Sequence, residues 1–91
     1  ETARDQEIEA VQSPGTYVLQ AGSFNDAADA DRRRAELALL GIESRIQRIA
    51  IDDRTYHRVR IGPMNDLDEL NRVRAQLQQA KIDVLRIRLG D

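Results

Sequence analysis

The chain has 91 residues, 14 basic and 16 acidic side chains, a net charge of −2 and no cysteine. That bounds it to one small domain with a modest core, burying about 60–65% of its unfolded surface. The charge argues against a general nucleic-acid binder, and the missing cysteines exclude disulfide staples and thiolate chemistry. No apolar run approaches the ~20 residues that span a bilayer.

Residues 1–15 are charged and Gln-rich, carry Glu1, Asp5, Glu7 and Glu9 against Arg4, and end in Ser13-Pro14-Gly15. Proline and glycine there punctuate a boundary, so 1–15 reads as a polar linker tail and 16–91 as the domain. Ile8 and Val11 have the spacing of one helical turn, with nothing to force it. The acidic, polar start is not a signal peptide, and a beginning without Met points to a piece of something longer.

Tyr17 to Phe24 reads as the first strand, aromatic and β-branched early and glycine late. Alternation sets Leu19 and Ala21 against Val18, Gln20 and Gly22. A bulge at Gly22 would reset the faces of Ser23 and Phe24. Asn25 or Asp26 then caps a helix running to about Leu40, with Ala27, Ala30, Leu37 and Leu40 as its inner stripe and Arg32, Arg33 and Glu36 solvated. Gly41 stands where a C-terminal left-handed residue belongs. A second strand, Ile42 to about Ile51, has ambiguous facing, because Ile46 and Ile49 differ in parity. The turn at Asp52-Asp53-Arg54-Thr55 makes a hairpin with a third strand, Tyr56 to Ile61. There Val59 and Ile61 face one way, and Tyr56, Arg58 and Arg60 the other. Asp66-Leu67-Asp68-Glu69 has capping-box spacing and opens the second helix, in which Leu67, Leu70, Val73 or Arg74, Leu77 and Ala80 recur at three- and four-residue steps. In the last strand, Ile82 to Leu89, the residues Leu85, Ile87 and Leu89 oppose Val84, Arg86 and Arg88.

The two halves are versions of each other at an offset of 40. Gly22-Ser23-Phe24-Asn25-Asp26 falls on Gly62-Pro63-Met64-Asn65-Asp66, Arg32 on Arg72, Leu37 on Leu77, Ile42 on Ile82 and Arg48 on Arg88. Such a repeat is one supersecondary unit used twice, here strand–helix–strand. Right-handed crossovers place both helices on one side of the sheet. The predicted fold class is therefore α+β: a two-layer β-α-β-β-α-β sandwich of ferredoxin or RNP type, with a four-stranded antiparallel sheet in order 4-1-3-2 and two helices on one face. Leu19, Ala21, Val59 and Ile61 form the core beneath the helices. The uncovered face is expected to carry Gln20, Tyr56, Arg58, Arg60, Arg86 and Arg88.

Thirteen of the fourteen basic residues are arginine. A GC-rich codon bias explains such an excess, and so does a need for planar forked donors that grip carboxylates and sugar hydroxyls. An uncovered sheet face is ordinarily just solvated. Like charges side by side on it are destabilising unless something anionic or polar meets them.

Two stretches resemble a known family. Val18-Leu19-Gln20-Ala21-Gly22-Ser23-Phe24 is similar to the opening strand motif of SPOR domains, and Tyr56-His57-Arg58-Val59-Arg60-Ile61-Gly62-Pro63 to their third-strand motif. The resemblance covers residues 16–90. It implies a non-catalytic peptidoglycan-binding module of bacterial envelopes that recognises denuded glycan strands at the division septum. It also implies a periplasmic location inside a larger protein, anchored in the inner membrane if of FtsN type. The family's strand-one Gln and Ser map to Gln20 and Ser23, and its strand-three aromatic to Tyr56. Some relatives stack sugars on tryptophan, which this chain lacks. The expected glycan-binding residues are thus Gln20, Ser23, Tyr56, Arg58, Arg60 and Arg86, the arginines reading the carboxylate that peptide removal exposes. Affinity on the order of micromolar suits so open a site.

The sequence offers little to an enzyme. His57 shares parity with Val59 and Ile61 and reads as a core-edge histidine, Asp52 and Asp53 are explained by their turn, and no metal-ligand spacing or phosphate loop appears. No cofactor and no nucleic-acid partner are expected. RNA recognition is the rival reading, since the topology suits it; yet RNA-binding sheets of this type stack bases on two or three central aromatics, and only Tyr56 is placed for that. A domain that buries the sheet face against a second copy is disfavoured by six polar or charged positions on it, so a monomer is expected.

Overall fold

The computed structural model describes residues 2–4 and 10–90. Part of the stretch expected as linker, Ile8 included, lies outside the described residues. The elements are β1 (Thr2–Arg4), β2 (Thr16–Phe24), α1 (Ala27–Leu39), β3 (Arg45–Ile51), β4 (Arg54–Met64), α2 (Leu67–Gln79) and β5 (Leu85–Gly90). The sheet order is β1-β5-β2-β4-β3 with every neighbouring pair antiparallel. Strands β2 to β5 reproduce the expected order 4-1-3-2, and β1 adds an unforeseen edge strand on β5.

Both helices start on an aspartate and stop in the same way, forty residues apart. The Asp26 carboxylate accepts from Ala28 N at 3.0 Å, and that of Asp66 from Asp68 N at 2.9 Å and Glu69 N at 3.3 Å, satisfying amides with no partner inside the helix. At the other end Ile42 N donates to Leu37 O and Ile82 N to Leu77 O, each at 2.9 Å. Gly41 and Lys81 hold the left-handed position between, with φ of 79° and 60°.

The core lies between the helices and one face of the sheet. Leu19, Ala21, Val59 and Ile61 meet Ala30 and Leu37 of α1 and Leu70, Val73 and Leu77 of α2. Ala27 is exposed, so the α1 stripe begins at Ala30, and Arg33 is half-buried rather than solvated. In α2 both Val73 and Arg74 are buried, the Arg74 guanidinium donating to Asn71 Oδ1 at 3.0 Å. Register settles β3: Ile46 lies beside Val59 on the helix side, and Ile49 beside Tyr56 on the open side. His57 pairs with Phe24, whose ring packs on the core, which puts the histidine on the helix side as expected.

Residues 10–14 pack on the domain. Asn71 of α2 clasps the backbone of Val11, Oδ1 accepting from Val11 N at 2.8 Å and Nδ2 donating to Val11 O at 3.1 Å. Val11 is buried in the core. Tyr17 Oη donates to Ser13 O, and Arg88 Nη2 to Pro14 O, both at 2.7 Å.

One facing reverses the sequence reading. Arg86 lies opposite Leu19, and Arg88 opposite Tyr17, so both arginines are on the helix side, while Leu85 and Ile87 lie beside Gln20 and Val18 on the open side. The physical reason is the 10–14 strap. It covers the end of β5 that the helices do not reach, giving Arg88 a carbonyl partner and leaving room for long polar side chains where helix packing would demand apolar ones.

Candidate functional site

The open face is a pattern of registers. Moving across it, β3 contributes Arg45, Gln47 and Ile49, β4 contributes Tyr56, Arg58 and Arg60, β2 contributes Val18, Gln20 and Ser23, and β5 contributes Leu85 and Ile87. It divides into a basic half on β3 and β4 and an apolar half on β2 and β5. Val18 is only 4% exposed. Gln20 and Arg60, which the offset of 40 superposes, meet at the junction: Arg60 Nε and Nη2 both donate to Gln20 Oε1, at 3.2 and 3.1 Å. That contact consumes the amide oxygen and leaves the Gln20 NH₂ to donate elsewhere.

Ser23 reaches this face because of a bulge. The β2–β4 register slips between Gln20 and Ser23 and brings Ser23 opposite Arg58, with Phe24 returned to the helix side. Gly22 makes the slip possible: φ is 139°, and a Cβ there would sit 2.6 Å from the Phe24 ring. A second slip lies between Met64 and Ile61, at the repeat-related Gly62, whose φ is 110°.

The electrostatics of the basic half are unbalanced. Arg45 lies opposite Arg60 across the β3–β4 ladder, and Arg58 is two residues along the same face. Burial lowers the Arg60 pKa below the ordinary arginine value, and the charges of Arg58 and Arg45 lower it further. Arg58 Nε is shielded from solvent and has no hydrogen-bond partner. A shielded donor without an acceptor costs about 1–3 kcal/mol, and an oxyanion at that point would supply the acceptor and offset the repulsion. No group of three or more His, Cys, Asp or Glu among the described residues is arranged to hold a metal ion.

The structure thus brings Gln20, Ser23, Tyr56, Arg58 and Arg60 onto one surface and puts Arg86 on the opposite one. Sequence reasoning left open whether Arg45 or Arg48 contributes from β3, and it missed Gln47, Leu85 and Ile87. The repeat held the signal, since it maps Arg45 onto Leu85 and Gln47 onto Ile87, and both pairs share the open face.

The model of the SPOR domain family matches residues 13–88. The chain is similar to the crystal structure of the RlpA SPOR domain from Pseudomonas aeruginosa, with 28% identity and a TM-score of 0.71 over 81% of this chain and 99% of that one. It is also similar to the solution structure of the peptidoglycan binding domain of the B. subtilis cell wall lytic enzyme CwlC, with 26% identity and a TM-score of 0.61 over 87% of this chain and 95% of that one. No curated protein sequence matches it significantly.

Proposed function

The chain belongs to the SPOR domain family, and from that premise we propose that it binds peptidoglycan through its open sheet face, and within peptidoglycan the denuded strands from which stem peptides have been cut. It is a non-catalytic module. Binding of that kind would hold a larger envelope protein at the division septum, in the periplasm.

The observation that carries the reading is the orphaned Arg58 Nε on the same face as the Arg45 and Arg60 guanidinium groups. Removal of a stem peptide leaves a free lactyl carboxylate on each N-acetylmuramic acid, a periodic anion on an otherwise uncharged polymer. An intact strand holds a bulky peptide there instead. Arg58 and Arg60 take the carboxylate, with Arg45 adding field from the neighbouring strand. The Gln20 NH₂ donates to an acetamido or hydroxyl oxygen, and Ser23 does so from the bulge beside Arg58. The Tyr56 ring and the half-exposed Leu85 and Ile87 offer flat apolar area for the C–H faces of the sugars. With no tryptophan in the chain, hydrogen bonds and charge carry more of the affinity than stacking.

Retention on sacculi tests this. Amidase-treated sacculi should retain the domain well above untreated ones, and equal retention on both would remove the claim of peptide-free selectivity.

A further inference from the structure

The repeat leaves one of its two equivalent grooves filled and the other empty. In the first copy, the space between the β2 bulge and α1 is plugged by the chain itself. The Arg33 guanidinium lies 5.5 Å from the centre of the Phe24 ring, and donates to Ala21 O at 2.7 Å and to Glu36 Oε1 at 2.9 Å. Forty residues on, Phe24 becomes Met64, Arg33 becomes Val73 and Glu36 becomes Gln76. The corresponding space between the β4 bulge and α2 is an open groove of about 640 Å³.

We propose that this second groove is a subsite for an uncharged pyranose, the neutral neighbour of the acidic sugar on the sheet face; the inference rests on the glycan reading above. Arg45 and Arg60 line the groove and also belong to the open face, so a polymer leaving the basic half runs over the end of the sheet into it. Its chemistry differs from that of the face. Glu43 and Glu69 stand among Arg45, Arg60 and Arg72, so that acceptors lie beside donors, over a floor that includes Ile61 and Val73. Sugar hydroxyls use both kinds of partner, and the two carboxylates supply acceptors that the basic half of the face lacks. Ser44 Oγ, also lining the groove, is shielded and has no hydrogen-bond partner.

The test is an NMR titration of the whole chain with an uncharged β-1,4-linked N-acetylglucosamine oligomer. The amides of Ser44, Glu69 and Arg72 should shift while the Arg58 Nε–H signal stays in place. The double variant Met64→Phe with Val73→Arg rebuilds the plug of the first copy. It should abolish those shifts and weaken binding of a peptide-free glycan by about tenfold, with the Arg58 Nε–H response to that glycan retained. Arg72→Ala, an exposed change that leaves the core untouched, should weaken the neutral oligomer several-fold. Groove amides that ignore the oligomer, or a folded plugged variant with undiminished glycan affinity, overturn the subsite. Loss of selectivity for treated sacculi, with the groove shifts intact, removes the reading of the face and supports the groove as an independent sugar site.

Discussion

Arg58 is held in a position that costs the free protein stability, and on the proposed reading a bound carboxylate offsets that cost. Its Nε is shielded and unpartnered, and its charge lowers the pKa of Arg60. Arg58→Met keeps the aliphatic stem and removes both penalties. The free domain should then gain about 1 kcal/mol, which in a domain of this size raises the melting temperature by roughly 4–8 °C. Retention on amidase-treated sacculi should fall at the same time. A melting temperature lowered by several degrees would instead make Arg58 a structural residue. Gly22→Ala should fail in the opposite way. The φ of 139° and the Phe24 ring 2.6 Å from the new methyl leave no room, so calorimetry should show lost stability, and Ser23 should lose its place beside Arg58.

At the scale of elements, the repeat sets matching ends that one residue does not suit. Lys81 occupies the left-handed position that glycine fills as Gly41. A side chain there costs about 1–2 kcal/mol, partly offset by the extra freedom of glycine in the unfolded chain. Lys81→Gly should therefore stabilise the domain by about 0.5–1 kcal/mol in denaturant unfolding, with glycan binding unchanged. Leu37 and Leu77, both fully buried, are the matched core residues of the two helices, and changing either to Ala should cost about 2–5 kcal/mol through the cavity left behind. Caps, helices and the facing of β2 and β4 were legible in the sequence because each carries a period or a capping residue of its own. The facing of β5 was not. Its two sides alternate Leu and Ile against Val and Arg, and apolar content favoured the wrong one; only the strap, with Pro14 O on Arg88 and Val11 clasped by Asn71, explains why arginines sit on the helix side. That strap was read as linker because a short polar segment bears no mark of where its single valine will be buried.

Across the whole molecule, a two-fold scaffold bears chemistry that is not two-fold. The repeat superposes Val18 on Arg58, Gln20 on Arg60 and Arg45 on Leu85, so one symmetric surface becomes basic on one half and apolar on the other. The arrangement suits a polymer that is apolar along its ring faces and charged once per repeat. It suits a uniform polyanion less well, given a net charge of −2. Binding of peptide-free glycan should accordingly weaken only modestly with added salt, since few charges are neutralised, whereas a steep loss would favour a nucleic acid. The most direct measurement follows the Arg58 Nε–H signal while peptide-free glycan is added, first with its lactyl carboxylates free and then with them esterified. The free acid should move that signal strongly and the ester should leave it nearly still. An unmoved signal with a bound free acid, or an equal response to the ester, would contradict a face built to read the exposed carboxylate.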